Sequence, residues 1–152
     1  MEYGAKVKSE IDRSKDVFKN KTVLVVAENV LLRQILGEIF HAAGCTVWEV
    51  ANEDEAVAHL QQNDAIDLLL VNLDYSPVEK VEKNWRNESA LQRNKTLILI
   101  DHINEDTRHR LDKIETIRLV RKPFSMYYLL DKAKDHLLNI PDGENNNPTL
   151  AG

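Results

Sequence analysis

Ile66-Asp67-Leu68-Leu69-Leu70-Val71-Asn72-Leu73 is the stretch on which the fold turns. Its apolar residues run almost without a break, and it lacks the alternation of a strand wetted on one face. A run this short and this apolar suits a parallel strand covered on both faces. Working outward, Thr22-Val23-Leu24-Val25-Val26 and Thr96-Leu97-Ile98-Leu99-Ile100 repeat the pattern, and Thr46-Val47-Trp48-Glu49-Val50 and Ile117-Arg118-Leu119-Val120 echo it more weakly. The segments between them change period. Leu32, Ile35, Leu36, Ile39, Phe40 and Ala43 recur at helical spacing, and Gly44 is placed to stop that helix. Asn52 is a good N-cap, with Glu55 three residues on and Ala56, Val57 and Leu60 as the buried stripe. Beyond the Ser76-Pro77 turn, Val78, Val81 and Trp85 predict a polar helix. Residues 103–114 form a weakly amphipathic one, with Ile103, Leu111 and Ile114 as core contacts. After Pro123, Ser125 can cap a last helix that turns Leu129, Leu130, Ala133 and Leu137 inward, and Pro141 ends it.

Five strands alternating with helices imply an α/β domain, an open parallel sheet covered on both faces with right-handed crossovers. Sites in such folds lie beyond the carboxyl ends of the strands. The residues there are Ala27, Glu28 and Asn29; Asn72, Leu73 and Asp74; Asp101 and His102; Arg121 and Lys122.

The chain has 152 residues, with 25 acidic against 20 basic and a net charge of -5. That length favours one domain. We place it at residues 21–139, preceded by a helical extension or linker over 1–20 and followed by a disordered tail over 140–152. In the extension Val7, Ile11, Ser14 and Phe18 share one helix face. The acidic surplus argues against nucleic acid as a partner. No apolar run approaches the roughly 18 residues that span a bilayer, and Met1–Lys6 lacks the apolar stretch of a signal peptide, so a cytoplasmic protein away from the membrane is expected. Cys45 is the only cysteine, which excludes an internal disulfide. His41 and Cys45 stand four apart without a further ligand nearby, so no metal and no cofactor is expected. Hydrolytic motifs such as Gly-x-Ser-x-Gly are missing.

The strand ends resemble the receiver domain of two-component response regulators over residues 21–139. The stretches that carry the resemblance are Val23-Leu24-Val25-Val26-Ala27-Glu28-Asn29, Asp67-Leu68-Leu69-Leu70-Val71-Asn72, Asn52-Glu53-Asp54-Glu55-Ala56 and, most specifically, Arg121-Lys122-Pro123-Phe124-Ser125. The resemblance implies a flavodoxin-like doubly wound (βα)5 fold, strand order 2-1-3-4-5. The family's chemistry is phosphoryl transfer from a phosphohistidine to an aspartate ending the third strand. Acids after the first strand and the acceptor hold Mg²⁺, a Thr or Ser follows the fourth strand, and a Lys follows the fifth.

Against that pattern this chain has Ala27 and Glu28 at the paired acids, Asn72 at the acceptor and Asp101 at the Thr or Ser; Lys122 alone is unchanged. An amide is a poor nucleophile and brings no charge to Mg²⁺, which wants hard oxygen ligands. A carboxylate at 101 repels a phosphoryl group. The pattern implies a degenerate pseudo-receiver, not an enzyme, that signals by phosphorylation-independent protein–protein interaction in a two-component or related pathway. Two alternatives are kept: a phosphorylatable receiver using Asp74 as a shifted acceptor, and a sensor of a small anionic ligand. Without a phosphoryl group, Lys122 is expected to pair with Asp101, or failing that with Glu28.

Receivers commonly signal and dimerise through the fourth helix, fifth strand and fifth helix. Here that region carries Arg108, Arg110, Arg118, Leu119, Tyr127 and Tyr128. Leu119 stands where the family often has a switching aromatic. The partners implied are a sensor kinase, a response regulator or a scaffold, with a homodimer possible through the same face.

Overall fold

The computed structural model describes residues 17–62, 65–73 and 78–141. Among them, β1 (Thr22–Val26), β2 (Thr46–Val50), β3 (Leu68–Leu73), β4 (Thr96–Ile100) and β5 (Ile117–Arg121) form one sheet in the order β2-β1-β3-β4-β5. Every neighbouring pair is parallel. This is the flavodoxin-like order expected from the sequence. The helices are α1 (Val30–Ala42), α2 (Glu53–Gln62), α3 (Val78–Asn87), α4 (Glu105–Asp112) and α5 (Met126–Leu137), with one extra turn at Ser89–Gln92.

Alternation along the strands feeds two cores. Leu69, Val71 and Leu73 of β3 join Leu24, Val26, Ile98, Trp85 and Leu111 on the face covered by α2, α3 and α4. Leu68 and Leu70 join Val23, Val25, Leu97, Leu99, Leu36, Phe40, Leu129 and Ala133 on the face covered by α1 and α5. All six residues of β3 are buried, which explains why five of them are apolar. A buried leucine contributes about 1.5–3 kcal/mol, so this central strand is the largest apolar anchor of the sheet.

Local signals set the helix ends. Asn29, Asn52, Asn104 and Ser125 each accept a hydrogen bond from the backbone N–H three residues on, at 2.9, 2.9, 2.8 and 3.0 Å. Glu55 returns to the N–H of Ala51, at 2.7 Å, one residue earlier than a standard capping box. Gly44 ends α1 at φ 111°, a backbone conformation that a side chain disfavours.

The structure adds to or departs from the sequence reading at four places. Strand β3 begins at Leu68, not Ile66: the Asp67 carboxylate turns to accept the Thr22 N–H at 2.8 Å instead of continuing the apolar run. Ile35 faces solvent, together with Val30 and Leu31, because the inner stripe of α1 is narrow and already filled by Leu36 and Phe40. The turn at Ser89–Gln92 buries Ala90 and Leu91. The boundary drawn at residue 20 cuts a core contact, since Phe18 is fully buried and meets Phe40 edge-on, with ring centroids 5.8 Å apart. Val7, Ile11 and Ser14, and the tail beyond residue 141, lie outside the described residues.

Candidate functional site

The carboxyl ends of β1, β3, β4 and β5 bring the expected positions to one edge. Side chains alternate along a strand, so Ala27, Asn72, Asp101 and Lys122 continue the rows of Val25, Leu70, Leu99 and Val120, all on the α1/α5 face. The ladder itself runs past the strand ends: the Ala27 N–H donates to the Val50 carbonyl at 3.1 Å and the Lys122 N–H to the Ile100 carbonyl at 2.9 Å.

Their surroundings differ sharply. Ala27 is buried, and its carbonyl accepts from Arg33 Nη1 at 2.8 Å. Sequence reasoning missed Arg33. Its place one turn into α1, facing back toward the strand end, was the available signal. The same guanidinium approaches Glu49 of β2 at 3.9 Å, so it ties the β1–α1 turn to the edge strand. Asn72 is also buried, opposite Leu99 in the ladder. Neither Nδ2 nor Oδ1 of its amide has a hydrogen-bond partner among the described residues. Glu28 and Asp101 are exposed. Asp74 lies outside the described residues.

Lys122 is half-buried and donates from Nζ to the Leu73 carbonyl at 3.3 Å. The pairing expected with Asp101 or Glu28 does not form among the described ion pairs. Both carboxylates stand in water, where an ion pair gains little.

The donor set does not fit Mg²⁺. Of the three positions that hold the ion in receivers, Ala27 supplies no side-chain oxygen, Asn72 a sealed neutral amide, and Glu28 a lone exposed carboxylate. A small, strongly hydrated dication wants more charge and more oxygen than that.

The expected partner face divides. Arg108 is a surface residue whose ion pairs with Glu105 and Asp112, at 3.8 and 3.9 Å, are loose. Tyr127 is 45% exposed. Arg110 is as exposed as Arg108 but is tied more closely: its Nε lies 3.1 and 2.9 Å from the two carboxylate oxygens of Glu82. Tyr128 packs against the α1/α5 core, and Leu119 against the opposite one. Arg118 is half-buried, with its Nη1 sealed from solvent. Of the six, Tyr127 is exposed, and Arg108 is the arginine whose described ion pairs are loosest.

No protein-family model matches the chain, and no curated protein matches it in sequence. Solved structures do. The chemotaxis protein CheY4 of Vibrio cholerae aligns with 76% of this chain and 97% of its own, at 22% identity and a TM-score of 0.63. A response regulator from Thermotoga maritima aligns with 78% of this chain and 98% of its own, at 24% identity and a TM-score of 0.65. A response regulator receiver modulated diguanylate cyclase from Pelobacter carbinolicus covers 79% of this chain and 94% of its own, at 20% identity and a TM-score of 0.59. The likeness establishes the receiver fold. No helix among the described residues is long and apolar enough to cross a membrane.

Proposed function

We propose that this chain is a receiver-like signalling module that works by binding a protein partner and not by accepting a phosphoryl group. The observation that carries the reading is Asn72. It occupies the end of β3 as a buried amide with both polar atoms unpartnered, next to a strand end where Ala27 replaces an acid. A carboxamide has no charge with which to hold Mg²⁺ and is a poor nucleophile. Lys122, the one residue that keeps the family identity, is occupied with the Leu73 carbonyl.

A protein that no longer switches chemically keeps its fold for its surfaces. The module thus presents α4, β5 and α5 to a sensor kinase, a response regulator or a scaffold, or to a second copy of itself. Arg108 and Tyr127 are the contact residues. The reading assigns the chain no catalysis.

The test is incubation of the full chain with a small phosphodonor and Mg²⁺, read by intact mass, alongside a beryllofluoride titration followed by amide NMR. The expected result is no added phosphoryl mass and no shifts clustered at residues 28, 72 and 122. A stable phosphoryl adduct that disappears in Asp74→Asn would replace this reading with that of an active receiver using a shifted acceptor.

A further inference from the structure

Glu82 is a buried carboxylate on α3, 28 residues in sequence from its main partner. Arg110 of α4 approaches both of its oxygens through Nε, at 3.1 and 2.9 Å, and Arg86 adds Nη2 at 3.1 Å from one turn further along α3. The Arg110 guanidinium is itself held, because its Nη2 donates to the Thr107 hydroxyl at 3.1 Å, and Thr107 is buried. Donation to a charged acceptor makes these bonds stronger than neutral ones. The two cations hold the Glu82 carboxyl below its ordinary range, Arg110 first and Arg86 second, against the opposing effect of burial.

Among the described residues, the apolar anchoring of helix α4 is slight. Of its residues Glu105–Asp112, only Thr107 and Leu111 are buried, and Leu111 is the single apolar one. Ile103 and Ile114, just outside its ends, are partly buried. Its other described ion pairs, Arg108 with Glu105 and Asp112 and His109 with Glu105, lie at 3.8–3.9 Å on the solvent side and contribute little. A helix with one buried apolar anchor can roll or fray about it. A second attachment to a neighbouring helix removes that freedom.

We infer that Glu82 and Arg110 form a clamp that sets the position of α4 against α3, and with it the geometry of the α4–β5–α5 face. Both are positioning residues. The inference deepens the proposed function and rests on it for the identity of the face. Where Asp101 and Leu119 replace the hydroxyl and the aromatic that the receiver resemblance leads one to expect, a fixed ionic tie holds α4 in place instead. The clamp is assembled from side chains already in place and needs no phosphoryl group to close it.

Hydrogen–deuterium exchange on the full chain tests the clamp without any partner or phosphodonor, so its outcome is separate from that of the phosphorylation test. Glu82→Gln and Arg110→Gln are each expected to speed exchange of the α4 amides about tenfold, the loss of a charge-assisted bond, while the amides of β1 and β3 stay protected. The double variant should accelerate exchange by clearly less than the product of the two single effects, because the Glu82–Arg110 contact is common to both. Arg86→Gln, which leaves Arg110 in place, should change α4 less than threefold. Arg110→Lys keeps the charge but not the forked geometry and should fall in between; it also serves if Glu82→Gln does not fold. Unchanged α4 exchange in both single variants, or equal acceleration throughout the sheet, overturns the inference.

Discussion

His136 of α5 holds its Nε2 2.8 Å from the carbonyl oxygen of Thr116, in the turn leading into β5. The acceptor is a carbonyl, so the ring nitrogen donates. The ring is buried, and that burial, more than any other influence, pushes its pKa below the ordinary 6.5; the bond to Thr116 opposes the shift, while Arg118 of β5 and Lys95 before β4 add to it. Asp135, beside it on α5, is also near Arg118. The unfolded chain thus binds the His136 proton at a higher pH than the folded chain does. Between the depressed folded value and 6.5, stability rises with pH, and it is lost as pH falls from 6.5 toward the folded value. The melting temperature is expected to drop by several degrees between about pH 7.5 and 5.5, with a shallower drop in His136→Gln. An equal slope in the variant would place the effect elsewhere.

Most of the fold is legible because it depends on local pattern. Strands β1, β2 and β4 match the apolar runs residue for residue, and the caps at Asn52 and Ser125 form as their spacing implies. What is not legible depends on contacts between distant elements. The Glu82–Arg110 pair spans 28 residues, and in the sequence Arg110 is one charge among several. The turn at Ser89–Gln92 is too short to show a period. At the site, the identities at 27, 72, 101 and 122 were readable, but not which acceptor Lys122 would choose. Asp101 and Glu28 are exposed and gain little by pairing, whereas the Leu73 carbonyl, 49 residues away in sequence, comes within 3.3 Å of the Lys122 Nζ only in the fold.

Cys45 gives a second check on the packing. It is buried beside the Phe18–Phe40 pair's cluster, and burial first, then the charge of Asp67, moves its thiol from an ordinary 9.0 to about 12. At mildly alkaline pH such a thiol holds roughly a thousandth of the thiolate it would have in water. Labelling by a disulfide reagent should be very slow in the native chain and rapid in urea. Fast native labelling would mean that α1 and the start of β2 open readily.

Asn72 predicts a gain of stability on substitution. An amide buried without partners costs about 1–3 kcal/mol relative to a satisfied one, and leucine fills nearly the same volume without polar atoms. Its neighbours Leu70 and Leu99 offer an apolar setting. Asn72→Leu is expected to raise unfolding free energy by about 1 kcal/mol, seen as a higher urea midpoint at unchanged slope. A loss of stability would show that the amide has partners that the folded chain uses, and would weaken the case for a retired pocket.

Tyr127 and Tyr128 are adjacent on α5 yet should behave as different kinds of residue. Tyr127 is 45% exposed, whereas Tyr128 packs on the α1/α5 core with Lys132 Nζ 5.4 Å from its ring centre. Removing a ring from water-exposed surface changes stability by no more than about 0.5 kcal/mol, while removing one from a half-buried site costs about 1–3 kcal/mol. Tyr127→Ser, and likewise Arg108→Ala on α4, should therefore leave the urea midpoint where it is. Tyr128→Ser should lower it clearly. The same substitutions sort the partner face: a contact role belongs to residues whose loss weakens association without weakening the fold. If Tyr127→Ser destabilises the chain as much as Tyr128→Ser, its ring is a core contact, and the face available to a partner shrinks toward α4.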